Sequence, residues 1–196
     1  MSGRAVHPWR AIRPSHERTV LGFDAYVQDR LLEQRIVLAQ GMLDRERATS
    51  VAAQLLTLEA WAHEPIVLRM ACHGGELDAV LGLVDAIGAL GVELRAVAAG
   101  EVSGAAVAAY AAAPVREASP HARFGLREPE APPIDGPASR IAGLAEEHLA
   151  RHDTFVNVLA EATGRRAVTV AADLRQGRFL TADEAADYGL VTVCSA

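Results

Sequence analysis

Cysteine is scarce in this chain. Only Cys72 and Cys194 occur in 196 residues, far apart and in different contexts. Two cysteines cannot build a disulfide framework or a set of metal-binding pairs, and this suits a reducing compartment. Aromatics make up only 5% of residues, so alanine and small aliphatics must carry the packing. Small side chains let helices approach strands closely but bury little area each, and part of the stability is expected to come from partner subunits. A basic surplus is missing too. The formal net charge is −6, and Arg165 and Arg166 are the only adjacent arginines. That argues against non-specific nucleic-acid binding. No run approaches the roughly 18 apolar residues of a membrane span, and the alanine-rich stretch near residue 105 is broken by Pro114. Residues 1–14 hold Arg4, Arg10 and Arg13 but no apolar segment, so no secretory signal is expected. The expected location is the cytoplasm, with no membrane and no nucleic acid as partner.

What is present reads as one globular domain. The composition is 51% hydrophobic and 22% charged, outside the range of disordered chains, and the length suits one domain better than two. Residues 1–20, with Pro8 and Pro14, are expected to form a flexible or partner-docked arm. Helical character runs from Phe23 to Arg35. A strand follows over Arg35–Ala39 and is expected to break at Gly41. Asp44 caps a helix reaching about Ala62. A second strand covers Ile66–Met70, followed by a His73-Gly74-Gly75 turn and a helix over Glu76–Leu90. Leu94–Ala98 is the third strand, Gly100 opens a turn, and Ser103–Ala113 reads as a small-residue helix. Residues 122–127 suit a short strand, and Pro129, Pro132, Pro133 and Pro137 mark a loop. Arg140–Thr163 is a long helix ended by Gly164. A helix-strand pair spans Thr181–Val193. This alternation predicts an α/β fold with a parallel sheet and right-handed crossovers.

In such a fold the chemistry belongs at the carboxyl ends of the strands. Two turns qualify, Cys72-His73-Gly74-Gly75 and Gly100-Glu101-Val102-Ser103-Gly104. Glycine lets backbone N–H groups approach a ligand, and a helix N-terminus favours developing negative charge. A serine there, facing a second glycine turn, has the layout of a nucleophile beside an oxyanion hole. The same serine also suits a plain helix cap. Cys72 reads as a small buried or loop residue. His148 and His152 share a helix face at i, i+4, but residue 149 is Leu and no third ligand motif exists, so no metal site is expected.

Five stretches, in order, resemble the proteolytic subunit of Clp-type serine proteases. They are Gly22-Phe-Asp-Ala-Tyr with Leu31–Val37, Ala53–Ala60, Ile66–Gly75, Ser103-Gly-Ala-Ala-Val, and Phe179–Val191. They cover about residues 20–193. The crotonase fold shares the C-terminal pattern and a segment like Ala122-Arg-Phe-Gly-Leu, but not the N-terminal matches. The resemblance implies a ClpP/crotonase-like ββα spiral. Its head would be about residues 21–128 and 165–196, with a protruding handle helix over about 138–164. It also implies no cofactor.

That family uses Ser, His and Asp. By resemblance the serine is Ser103, in a match with one residue fewer between Gly100 and Ser103 than the family has. An ungapped match would set Val102 there instead. The aspartate is Asp173. The oxyanion hole would draw on Gly74, Gly75 and Gly104. The histidine slot falls in Leu126-Arg127-Glu128-Pro129 and holds Arg127. A guanidinium stays protonated near pH 7 and cannot act as a general base, and a serine without a base is a poor nucleophile. Arg127 is then free to pair with Asp173 or to bind a carboxylate. His73 is a candidate relocated base, and His121 a weaker one. Glu101, beside Ser103, would oppose oxyanion stabilisation unless it points away.

The resemblance further implies a ring, a heptamer or double ring, of this chain or of this chain with a paralogue. Ring faces would bind a Clp AAA+ ATPase, and Arg140–Thr163 would stack rings through Leu144, Leu149, Phe155, Val158 and Leu159. The proline-rich 129–137 segment replaces the family's glycine-containing stretch. Three functions are open. The chain is a Clp-type subunit with weak or absent activity of its own, a serine hydrolase with an unconventional base, or a ligand-binding or acyl-processing protein in which Arg127 reads a carboxylate.

Overall fold

A computed structural model describes residues 20–131, 133 and 135–194. The arm expected over residues 1–20 lies, apart from Val20, outside the described residues. Helix α1 (Val20–Glu33) leads into strand β1 (Ile36–Leu43). At the junction Arg35 takes a left-handed backbone, φ 59°. Its guanidinium donates to the carbonyls of Leu58, Ala62, Glu64 and Pro65, at the end of helix α2 (Arg45–Trp61) and just beyond it. A cation on these orphan carbonyls offsets the negative end of the helix dipole. At the other end of α2 the Asp44 side chain accepts from the Arg47 N–H at 2.9 Å, the expected cap.

Gly41 does not break β1. It adopts φ +79° within a shift of register between Gln40 and Met42, and pairing resumes at Met42 and Leu43. Only glycine takes that conformation at no steric cost. Strand β2 (Ile66–Gly75) likewise does not end at Met70. The expected His73-Gly74-Gly75 turn continues as strand, because Gly74 and Gly75 pair with Met42 and Leu43. Ile66, Leu68, Met70 and Cys72 alternate into the core.

Helix α3 (Leu77–Gly88) and strand β3 (Leu94–Ala98) follow. Strands β1, β2 and β3 are joined by β5 (Val115–Ala118) and β8 (Val193–Cys194) in one parallel sheet, ordered β1-β2-β3-β5-β8. A second sheet of three strands lies beside it. Here β4 (Glu101–Ser103) pairs parallel with β6 (Arg123–Leu126), and β6 pairs antiparallel with β7 (Arg178–Thr181). The expected wholly parallel arrangement therefore holds for the larger sheet only.

Helix α4 (Ala106–Ala111) starts three residues later than expected and is buried on every side. Its alanines allow that close approach, and Tyr110 packs against Phe124 in a tilted arrangement, 5.1 Å between centroids. Arg116, itself buried, binds five carbonyls: Ala111, Ala113, Ala162, Gly189 and Leu190. It gathers the ends of α4, of α5 (Ala138–Thr163) and of α7 (Ala182–Tyr188) into one knot. Gly164 ends α5 in the left-handed conformation, as expected. The expected apolar stripe of α5 divides. Phe155 and Leu159 are buried in their own domain and Val158 packs against that core, whereas Leu144 is half-buried and Leu149 stays exposed, as does Ile141 outside that stripe. Helix α6 (Ala167–Gln176) completes the chain between α5 and β7. Among the described residues no helix is long and apolar enough to cross a membrane.

Candidate active site

Ser103 is the last residue of β4, not the first of a helix as expected. In a strand, residues two apart share a face. Glu101 and Ser103 therefore stand together, and the register of β6 sets Arg123 and Gly125 beside them. Arg127 continues the same alternation just past the end of β6. The antiparallel partner β7 adds Phe179 opposite Gly125 and Thr181 opposite Arg123.

The Ser103 side chain is fully buried, 0% exposed. Its hydroxyl donates to Glu101 Oε1 at 2.7 Å. Arg127 Nη2 donates to the same Oγ at 2.9 Å and reaches Glu101 Oε1 at 3.7 Å. The serine oxygen is therefore held between a carboxylate that accepts its hydrogen bond and a cation that occupies its lone pair. Glu101 and Arg127 are about half-exposed, so they roof the serine against solvent. Glu101 does not point away from the serine. It is the hydroxyl's acceptor.

The other site candidates fall elsewhere. Asp173 lies on α6, where Tyr188 Oη donates to its Oδ2 at 2.8 Å and Arg178 Nη1 stands 3.8 Å from its Oδ1. Burial, and then this bond to Asp173, push the Tyr188 phenol up. Among the described residues no hydrogen bond or ion pair joins Asp173 to Arg127 or Ser103. The expected Arg127–Asp173 pairing is replaced by Arg127–Glu101. His73 is exposed, because β2 alternates and Cys72 takes the inward position. Only its backbone carbonyl touches the site, accepting from Arg127 at 3.4 Å. His121 is exposed in the turn before β6. Cys72 is buried and its thiol donates to the Ala39 carbonyl at 3.1 Å. Burial pushes that thiol up to about 11.

Of the three expected glycines, Gly104 and Gly74 come close to each other, while Gly75 packs against Val80 and Leu43. A Cβ on Gly104 would lie 3.6 Å from the Gly74 Cα, and Gly104 has φ +58°. The Gly104 N–H, however, donates to the Gly125 carbonyl at 3.0 Å, so in this arrangement it does not face an oxyanion. Gly75 N and Gly74 N belong to the strand beside β1. Gly125 was not among the expected site residues. A Cβ there would lie 2.6 Å from Ser103 Cβ, so only glycine lets β4 and β6 close over the serine. A period-two reading of residues 101–103 and 123–127 is the signal that finds Glu101 and Gly125.

His148 and His152 meet no third ligand, and no group of three or more His, Cys, Asp or Glu gathers around a possible metal position among the described residues. His152 Nε2 is buried without a hydrogen-bond partner, 3.7 Å from Glu128 Oε1.

Comparison with known proteins agrees with this architecture. Residues 22–194 match the family model described as Clp protease. The chain is 28% identical over 187 residues to the ATP-dependent Clp protease proteolytic subunit 1 of Thermobifida fusca, covering 93% of this chain and 84% of that one. It is 31% identical over 169 residues to proteolytic subunit 2 of Pseudomonas aeruginosa, covering 85% and 84%. The proteolytic subunit of Streptococcus pneumoniae is 29% identical over 180 residues, covering 89% and 92%. The match of residues 22–194 to that family model, with these relatives over most of the chain, places this chain in the Clp protease family.

Proposed function

We propose that this chain is a Clp-type subunit that does not cleave peptides on its own and serves in an assembly with itself or with a cleaving paralogue. The observation that carries this reading is the two-sided hold on Ser103, 2.7 Å from Glu101 and 2.9 Å from Arg127. A serine attacks a carbonyl when a neighbouring base removes its proton and leaves a lone pair free. Here the lone pair faces a guanidinium, and Asp173 is engaged with Tyr188 and Arg178. Losing one triad member still leaves ~10³–10⁴-fold over water when an oxyanion hole remains, but the Gly104 N–H is also spent. The relatives' names describe subunits of an ATP-dependent protease, which supports an AAA+ ATPase as partner. Ile141 and Leu149, exposed on the first half of α5, support ring stacking through that helix, with the head formed by the two sheets.

The test is a fluorophosphonate probe on the purified chain. No label at Ser103 is expected. Label that Ser103→Ala removes would overturn the reading. Light scattering of the chain, alone and mixed with a cleaving relative, checks the assembly, with a ring-sized particle expected.

A second reading rests on the same 2.7 Å bond. In it the chain is a serine hydrolase whose base is Glu101 rather than His73. It requires labelling that survives His73→Ala and disappears in Glu101→Gln.

A further inference from the structure

The face that holds the serine carries a second arrangement. Arg123, Gly125 and Arg127 lie two apart along β6 and its exit, so all three take the same side of the small sheet. Phe179 stands opposite Gly125. A Cβ on Gly125 would lie 3.0 Å from the Phe179 ring, so the ring lies across the space that the glycine leaves open. The guanidinium carbons of Arg123 and Arg127 sit 5.9 and 5.6 Å from the ring centroid. Phe179 is nonetheless 43% exposed.

Much of the hydrogen-bonding capacity of the two guanidiniums is unspent. Arg127 uses Nη2 alone, on Ser103, on Glu101 and on the His73 carbonyl. Its Nε and Nη1 donate to nothing among the described residues. The Arg123 guanidinium forms no hydrogen bond or ion pair among the described residues. It exerts only a minor pull on Glu184, whose carboxylate already accepts from the Thr181 N–H. Stacking on an aromatic ring holds a guanidinium plane in place and leaves its edge donors free. Glu101 engages only Nη2 of Arg127, and Glu184 is already held by the Thr181 N–H, so the remaining edge donors of both guanidiniums stay open to an incoming anion. Planar guanidinium edges match the planar carboxylate group, and the exposed ring beside them offers apolar contact to the side chain next to it.

We infer that the Arg123–Phe179–Arg127 surface binds peptide carboxylates. The inference rests on the reading that this site meets peptides without cutting them. The C-terminal α-carboxylate and the side-chain carboxylates of Asp and Glu share the required chemistry. A peptide ending beside Ser103 would present its terminal carboxylate to the arginines and its last side chain to Phe179.

The test compares three dye-labelled hexapeptides of alanine and leucine by fluorescence anisotropy on the full chain. One is a free acid, one a C-terminal amide, and one an amide with an internal glutamate. The free acid is expected to bind at least ~10-fold more tightly than the plain amide, as for loss of a charge-assisted pair. The glutamate amide decides the source of the carboxylate. Binding like the free acid means any carboxylate serves, and binding like the plain amide means the α-carboxylate is read. Arg123→Gln, at an exposed position without a bonded partner, is expected to abolish the acid-over-amide preference and leave the fold intact. Phe179→Ala is expected to weaken the free acid. Equal binding of all three peptides, binding of none, or an Arg123→Gln variant that keeps the preference would overturn the inference. The same comparison is made in Ser103→Ala, with peptide integrity followed by mass spectrometry. Cleavage by the wild-type chain would sink the non-cleaving reading while leaving the binding comparison intact.

Discussion

The Ser103 hydroxyl donates a hydrogen bond to Glu101, two residues earlier on the same strand, across 2.7 Å. The relationship is local in sequence yet exists only because β4 is a strand. On a helix, residues two apart diverge. Arg127 then completes the hold from the neighbouring strand's exit.

Restoring an imidazole does not rebuild a triad here. In Arg127→His the hydroxyl still has Glu101 as acceptor, and Asp173 still bonds Tyr188 and faces Arg178. Fluorogenic-peptide turnover is expected to stay at least about a thousandfold below that of a complete triad. A stopped assay of Arg127→His against a cleaving relative checks this, and turnover near the relative's would contradict it.

Gly125→Ala is expected to cost about 1–3 kcal/mol. The added methyl would meet Ser103 Cβ at 2.6 Å and the Phe179 ring at 3.0 Å, and neither strand can retreat without losing its ladder. Urea denaturation measures the cost. Gly143→Ala, where a Cβ meets nothing within 4 Å, is the control and should be neutral or slightly stabilising.

Arg116→Ala is expected to destabilise the chain by roughly 3 kcal/mol or more, because five carbonyls lose a buried cationic donor at once. Lysine should rescue little. It brings a single ammonium where the planar fork reaches several elements. Denaturation midpoints of Arg116→Ala and Arg116→Lys, both well below wild type, are the expected result.

Alkaline pH should weaken the fold through Cys72. Its folded thiol is raised to about 11 by burial, so between the ordinary thiol range and 11 the folded state holds a proton that the unfolded state has lost. Stability is then full below about pH 8.5 and falls as pH climbs towards 11, by on the order of 2–3 kcal/mol. All 19 cationic side chains are arginines, so no lysine titrates there, and the raised Tyr188 phenol adds its own loss only above about pH 10. Urea midpoints from pH 8 to 11 should converge for Cys72→Ala and wild type after normalisation at pH 8 only if Cys72 is not the source.

Several elements were legible because short-range chemistry specifies them. Asp44 reads as a cap and caps α2. Leu94–Ala98 reads as a strand and is β3. Gly164 reads as a helix end and takes the left-handed conformation. Other elements depend on neighbours distant in sequence. β5, α6 and β7 are short and weakly patterned, and each is stabilised by what it packs against. The glycines at 74 and 75 read as a turn but are strand, since β1 supplies partners that composition does not reveal.

The sequence alone determined the family likeness, the alternation of strands and helices, the nucleophile candidate and the cation at position 127, because these depend on residue identity and order. Tertiary structure alone decided that Arg127 pairs with Glu101 and Ser103 while Asp173 turns to Tyr188. Those choices rest on register across three strands and on which side chains come within 3 to 4 Å. Such distances are set by the packing of segments 15 or more residues apart, and no local pattern encodes them.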